Sequence, residues 1–159
     1  GKYGADAVRY YLLRYTNITG DSDISEEKLL QAYNADLANG LGNLVARVAK
    51  LCENSGFSFE SKTKFNFDPY VDGSLSGYRF DGALFRVWDH INHANKVIND
   101  SEVWTQKGET LRKSLQSLIF AIQDIAYHLK PFLPETAEKI LEQFKGPKVI
   151  SSKLLFPRI

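Results

Sequence analysis

The sequence predicts an all-α helical bundle with one long irregular connection. Several stretches place apolar residues three and four positions apart, which is the period of an amphipathic helix. One long stretch, residues 56–81, mixes glycine, serine, aspartate and aromatic residues without a period. The composition is 43% hydrophobic and 25% charged, as in an ordinary globular protein, so we expect the helices to bury their apolar faces in a common core.

The first predicted helix covers residues 5–15. Its apolar residues at helical spacing, which we expect to face the core, are Val8, Tyr11, Leu12 and Tyr15. The cluster of glycine, asparagine, aspartate and serine at 16–23 predicts a loop. Asp23 followed by Glu26 is typical of a capping box, which predicts that the next helix begins there.

A long helical pattern follows and continues to Asn54 or Gly56, with a break expected near Tyr33 and Asn34. The residues expected to face the core are Leu37, Leu41, Leu44, Val48 and Leu51, flanked by Val45 and Cys52. Within the irregular connection that comes next, we expect residues 64–67 to be extended.

Three more helices are predicted after the connection. In the helix predicted at 82–100, the residues expected to face the core are Leu84, Val87, Ile91, Ala94 and Ile98. The pattern at 108–130 turns Leu111, Leu115, Leu118, Ile122, Ile125 and Leu129 inward. Pro134 suits the first turn of a last helix that ends near Phe144, and we expect the tail at 154–159 to be extended.

Charge and composition limit the possible partners and the compartment. Lysine and arginine number 20 against 19 aspartate and glutamate, so the chain as a whole gives no charge signature for binding nucleic acid or an anionic membrane, and any site for a polyanion, such as RNA, must be local; we expect neither DNA nor a membrane as a partner. The single Cys52, the lack of a long apolar run and the lack of a signal peptide favour the cytoplasm. Methionine is absent and residue 1 is glycine, which predicts a part of a longer protein.

The residue types of metal and catalytic sites do not form a recognisable constellation. His90 and His93 are three positions apart on a helix, but no cysteine or further histidine is close enough in sequence to complete a metal site. Cys52 lies on an apolar arc, which predicts a buried and unreactive thiol. We therefore expect no catalytic residues and no metal site in this chain.

A polar strip is expected on the helix that contains "NGLGNLVARVAKL" (39–51). At about 100° per residue, Asn43 and Arg47 project together away from the apolar stripe, with Lys50 near them and Gly40 leaving room one turn earlier. Asparagine and arginine offer the planar donor and acceptor groups that suit an unstacked base. The alternative is a solvated helix face whose glycines allow tight helix packing.

Trp104 is a similar case, because it lies in the polar stretch "NDSEVWTQKG" (99–108). A tryptophan in such a loop is either a packing residue or a platform on which a base can stack. The residues alone leave both readings open.

Several stretches of the sequence resemble a known protein family. The stretch "KYGADAVRYYLLR" (2–14) is similar to the segment that follows the catalytic domain in class I aminoacyl-tRNA synthetases, and "YNADLANGLGNLVARV" (33–48) resembles the methionyl-tRNA synthetase family specifically. The stretches "ANKVINDSEVW" (94–104), "LKPFLPETAEKI" (129–140) and "LFPRI" (155–159) also resemble that family.

The resemblance implies a module that binds the CAU anticodon of the methionine tRNA, with a junction segment at 1–24 and the anticodon-binding bundle of the class I type at 25–159. It implies that Asn43 and Arg47 contact the first anticodon base and that Trp104 stacks on it. The parent protein would be a methionine–tRNA ligase that uses ATP and Mg²⁺, and its catalytic domain and the tRNA are the expected partners. The two signatures of that ATP chemistry, a His-Ile-Gly-His type motif and a Lys-Met-Ser-Lys-Ser loop, are absent from this sequence, so we expect this chain alone to hold no cofactor and to be inactive.

Two other functions stay open at this point. The chain could be the equivalent domain of another class I synthetase, or a helical interaction domain that does not bind RNA. Weak, salt-sensitive association with RNA, without sequence preference, would favour the helical interaction domain.

Overall fold

The computed structural model describes residues 2–16, 20 and 24–159, and within them the chain is all helical and irregular, without a strand. This confirms the predicted all-α bundle. The elements, in chain order, are α1 (Ala5–Tyr15), α2 (Glu26–Ala32), a π-helical segment (Tyr33–Gly42), α3 (Asn43–Ser55), α4 (Pro69–Ser76), α5 (Phe80–Asp100), a 3₁₀ turn (Val103–Thr105), α6 (Gly108–Leu129) and α7 (Pro134–Phe144).

The core-facing sides of three long helices are as predicted. The inward residues expected on α3, α5 and α6 are buried, except that Leu51 and Leu111 are only half-buried. The largest fully buried side chains of these helices include Leu44, Leu84 and Ile119, which belong to one continuous core. The helices therefore form a bundle around a single apolar interior.

The prediction for the inward face of α1 is largely wrong. Tyr11 is buried as expected, but Val8 and Leu12 are each 39% exposed and Tyr15 is 51% exposed. Tyr10 is buried instead, with its ring centroid 4.4 Å from that of Trp88. The Tyr10 hydroxyl donates to Asp36 Oδ2 at 2.9 Å, so the polar end of the side chain is satisfied inside the fold.

Asp6 is also buried, and it links the two ends of the chain. Its Oδ2 accepts hydrogen bonds from the backbone N–H and the hydroxyl of Thr136, both at 2.8 Å. Thr136 is the third residue of α7, so the carboxylate caps that helix from α1. Arg9 pairs with the other carboxylate oxygen at 3.0 Å.

The expected break near Tyr33 and Asn34 is not present. The helix continues through these residues with a change to π geometry, and α3 ends before Gly56, which has a left-handed φ of 68°. Asp23 lies outside the described residues, and α2 is capped by Ser25, whose Oγ accepts from the Lys28 backbone N–H at 3.2 Å.

The irregular connection is partly helical, because α4 lies within 56–81. Asp68 precedes it and accepts from the backbone N–H of Tyr70, while Pro69 occupies the first helical position, where a missing N–H costs nothing. Residues 56–67 form no regular structure, and α6 holds them in place through side chains such as Gln116, which exchanges two hydrogen bonds with the backbone of Glu60.

The last helix follows the prediction, whereas the tail at 154–159, predicted to be extended, has no regular structure and bends at Leu155 and Phe156. α7 begins at Pro134 and ends at Phe144, and no helix follows in residues 145–159. Across the described parts of the chain, every helix is too short or too polar to cross a lipid bilayer.

Candidate nucleic-acid interface

Asn43 and Arg47 lie on one side of α3, as predicted. Asn43 is the first residue of α3 and is exposed, and Arg47 follows one turn later and is half-buried. The Arg47 guanidinium donates through Nη2 to Asn99 Oδ1 at 2.9 Å. Because Asn99 belongs to α5, this contact fixes the position of Arg47 relative to a second helix and leaves the other guanidinium nitrogens without a described partner.

Two asparagines of α5 that sequence reasoning did not assign to the site complete this surface. Asn95 is one helical turn before Asn99, and its Nδ2 lies 3.4 Å from Gly40 O and 3.3 Å from Ile91 O. Asn95 Oδ1 is buried and has no hydrogen-bond partner among the described residues. The spacing of two asparagines by four residues was the signal available in the sequence, but their partners outside α5, Arg47 and Gly40, lie more than fifty positions away.

Trp104 follows the end of α5, in the 3₁₀ turn. Val103 beside it is fully buried and anchors the turn, whereas the Trp104 side chain is 52% exposed. Asn99, which holds Arg47, lies five positions before it on the same chain segment. About half of the Trp104 surface is therefore available for stacking, and among the described residues no hydrogen bond or cation–π contact joins Trp104 to Asn43 or Arg47.

Of the two glycines before Asn43, only Gly42 has a steric reason for being glycine. A Cβ on Gly42 would lie 2.9 Å from the Leu37 carbonyl oxygen, which is closer than a side chain can approach. A Cβ on Gly40 would point at Trp88 of α5, with Nε1 at 3.6 Å. Gly42 is thus required by the backbone of the π-helical segment, and Gly40 lies at the packing contact with α5.

Lys50 contributes less positive charge to this surface than the sequence suggests. Its ammonium group donates to Glu53 Oε2 at 2.9 Å, and this hydrogen bond, with one from Ser151, lowers the pKa of the exposed Glu53 carboxyl. We call the surface formed by Asn43, Arg47, Asn95, Asn99 and Trp104 the α3–α5 surface, and Arg47 is the cation among these five residues.

Two of the histidines and the single cysteine are taken up by contacts within the fold. His128 is buried, with its Nε2 accepting from the Asp68 backbone N–H at 2.7 Å and its Nδ1 2.6 Å from Asp124 O. His90 lies 3.4 Å from Asp68 Oδ2, and the described residues contain no cluster of metal-ligating side chains. Burial raises the pKa of the Cys52 thiol to about 12, so this cysteine is a core residue, as predicted.

Similarity to known proteins extends over nearly the whole chain. The family model for class I tRNA synthetases (M) matches residues 1–49. The methionine–tRNA ligase of Clostridium acetobutylicum is 31% identical over 99% of this chain and 30% of its own length, and that of Oceanobacillus iheyensis is 33% identical over 89% of this chain and 24% of its own length.

A solved structure shares the fold. The Mycobacterium tuberculosis methionyl-tRNA synthetase bound by methionyl-adenylate superposes with a TM-score of 0.84 and 24% identity, over 98% of this chain and 38% of that one. This chain spans about 30% of the length of the first curated relatives that it matches. Over nearly its whole length, this chain is homologous to a part of the methionine–tRNA ligases, and its first third matches the family model for class I tRNA synthetases (M).

Proposed function

We propose that this chain is the anticodon-binding part of a methionine–tRNA ligase and that it recognises the CAU anticodon. In this proposal Asn43 and Arg47 bind the edge of the first anticodon base, and Trp104 stacks on that base. The observation that carries the proposal is the Arg47–Asn99 contact, which holds a guanidinium beside the exposed Asn43 while donors remain for a ligand. A guanidinium held by a neutral amide keeps its full charge for a nucleotide.

The catalytic reaction belongs, in this proposal, to the part of the protein outside this chain. The whole protein would activate methionine with ATP and Mg²⁺ in the cytoplasm and transfer it to tRNA. The division at residues 24 and 25, between a junction and the binding module, remains a prediction.

We propose the exposed face of α1 as the contact with that catalytic part. Val8, Leu12 and Tyr15 form an apolar strip there, and Phe85 of α5 is 62% exposed with the Arg14 guanidinium 5.3 Å from its ring centroid. A patch of several large exposed apolar side chains is typical of a contact surface. This accounts for apolar residues at helical spacing that do not enter the core.

Titration with RNA tests the proposed function. Anticodon stem–loops that differ only in the three anticodon bases would be added to the chain at fixed salt concentration, and binding followed by fluorescence anisotropy. We expect the CAU loop to bind about 10- to 100-fold more tightly than loops with another first base, the discrimination typical of base-edge contacts. Preference for a different anticodon would assign the chain to another synthetase, and equal, strongly salt-dependent binding of all loops would favour a helical interaction domain.

Replacing Trp104 with alanine should weaken binding of the CAU loop by about 1 to 3 kcal/mol, the usual effect of removing an aromatic stacking platform. The fold should be little affected, because half of the side chain is already exposed. Trp88, the other tryptophan, is the matched control: it is 5% exposed, and its replacement by alanine should cost about 3 to 5 kcal/mol of stability. A large loss of stability for Trp104→Ala with normal RNA binding would show that Trp104 is a packing residue.

A further inference from the structure

The π-helical segment immediately before Asn43 is held by the C-terminal tail. We infer that residues 156–159 act as a clasp, and that Arg158 is a positioning residue that fixes Asn43 for base recognition. The inference deepens the proposed function and rests on it. Neither the fold nor the family assignment gives Arg158 such a role.

The segment needs support because its geometry is unusual. It contains ten residues, whereas most π-helices are single turns inside α-helices, where they are frequent at functional sites. The segment also sets the start of α3, since the Asn43 backbone N–H donates to Ala38 O, five residues earlier. A change of geometry in the segment would therefore move Asn43 directly.

The tail contacts the segment near its beginning. The Asn34 side chain donates through Nδ2 to the Ile159 carbonyl oxygen at 3.1 Å and accepts from the Ile159 backbone N–H at 3.3 Å. The buried Phe156 packs edge-on against Tyr33, with ring centroids 5.9 Å apart. Burial of the phenyl ring supplies the attraction, and the paired amide bonds fix the register of the tail.

The tail also contacts the end of the segment nearest the α3–α5 surface. Arg158 donates through Nε and Nη2 to Asn39 Oδ1, at 2.9 and 2.6 Å. Phe156 Cβ lies 3.9 Å from the position that a Cβ on Gly42 would take. Asn39 is four residues before Asn43, which is about one helical turn, so the guanidinium holds the turn that leads directly into the recognition residue.

The contacts of Arg158 are exposed, so their main effect is on geometry. Exposed hydrogen bonds contribute little to global stability, and the core contacts of Phe156 remain when Arg158 is replaced. Loss of Arg158 should thus leave the protein folded while the last turn of the segment becomes free to relax. A variant that stays folded but loses base discrimination would therefore show a positioning role and not a purely structural one.

The test compares Arg158→Ala with Lys153→Ala, which removes another exposed cation, immediately before the tail. We expect Arg158→Ala to fold normally, to bind the CAU loop about 3- to 10-fold less tightly and to discriminate less between first bases, while Lys153→Ala leaves discrimination unchanged. Adding Arg158→Ala to Asn43→Ala should then cause no further loss, because the two residues act through the same contact. Unchanged binding and discrimination in Arg158→Ala would overturn the inference.

Two further outcomes are distinguishable. An equal loss for all loops that persists in the Asn43→Ala background would mean that Arg158 binds an RNA phosphate directly, which also contradicts a positioning role.

Hydrogen exchange tests the clasp without RNA. The backbone amides of residues 38–43 should exchange at least about tenfold faster in Arg158→Ala than in the unmodified chain, and should not change in Lys153→Ala. If the unmodified chain bound no stem–loop, the proposed function would fail, and unchanged exchange would refute the clasp independently.

Discussion

Gly42→Ala should destabilise the chain by about 2 to 3 kcal/mol, the cost of forcing an extra carbon into a closely packed site. The added Cβ would lie 2.9 Å from the Leu37 carbonyl oxygen, and a backbone oxygen cannot move away as a flexible side chain can. The π-helical backbone would have to shift. Urea unfolding followed by circular dichroism measures the change, which corresponds to about 5 to 10 °C in melting temperature for a chain of this size.

Gly40→Ala is the matched control for Gly42→Ala. A Cβ at position 40 would meet Trp88 Nε1 at 3.6 Å, which is ordinary contact, and alanine favours a helix by about 1 kcal/mol relative to glycine. We therefore expect this variant to be as stable as the unmodified chain or slightly more so. Equal stability of both variants would show that the Leu37 contact does not constrain the segment.

Asp6→Ala should destabilise the chain by about 2 to 4 kcal/mol. It removes the cap of α7 and leaves the buried N–H and hydroxyl of Thr136 without an acceptor. Arg9 would also lose its partner, but this half-exposed pair contributes little. The free energy of unfolding in urea gives the measurement.

Asp6→Asn separates the effect of the hydrogen bonds from Thr136 from the effect of the negative charge on Asp6. The amide oxygen can still accept from Thr136, whereas the negative charge near the N-terminus of α7 is lost, so we expect a cost of about 1 kcal/mol. If Asp6→Ala were no worse than Asp6→Asn, the two hydrogen bonds from Thr136 would not be the source of the stability.

The long helices could be predicted because each has one apolar stripe that the core requires. The buried face of α1 could not be predicted, because it depends on groups far away in sequence. Tyr10 is buried where Asp36 accepts a hydrogen bond from its hydroxyl, and Asp6 is buried where it caps α7. Burial next to Asp36 also raises the pKa of Tyr10. Local periodicity carries no information about such partners.

The other differences between the predicted and the observed structure have similar causes. α4 has eight residues and little periodicity, so Asp68 and Pro69 were its main signals. In a π-helical segment each hydrogen bond spans five residues instead of the four of an α-helix. The sequence shows this difference only as an apparent irregularity near Tyr33. Asn43 and Arg47 could be proposed together from the sequence because both lie on one helix, whereas Asn99 joins the α3–α5 surface only through the packing of α3 on α5.

Titration of Asn43→Ala with stem–loops that differ only at the first anticodon base tests base recognition by the α3–α5 surface most directly. Asn43 carries no charge, so its loss cannot act through general attraction to phosphates. We expect the CAU loop to lose about 1 to 3 kcal/mol of binding free energy while loops with another first base lose almost none, so that discrimination shrinks. Equal losses for every loop would contradict base recognition by Asn43.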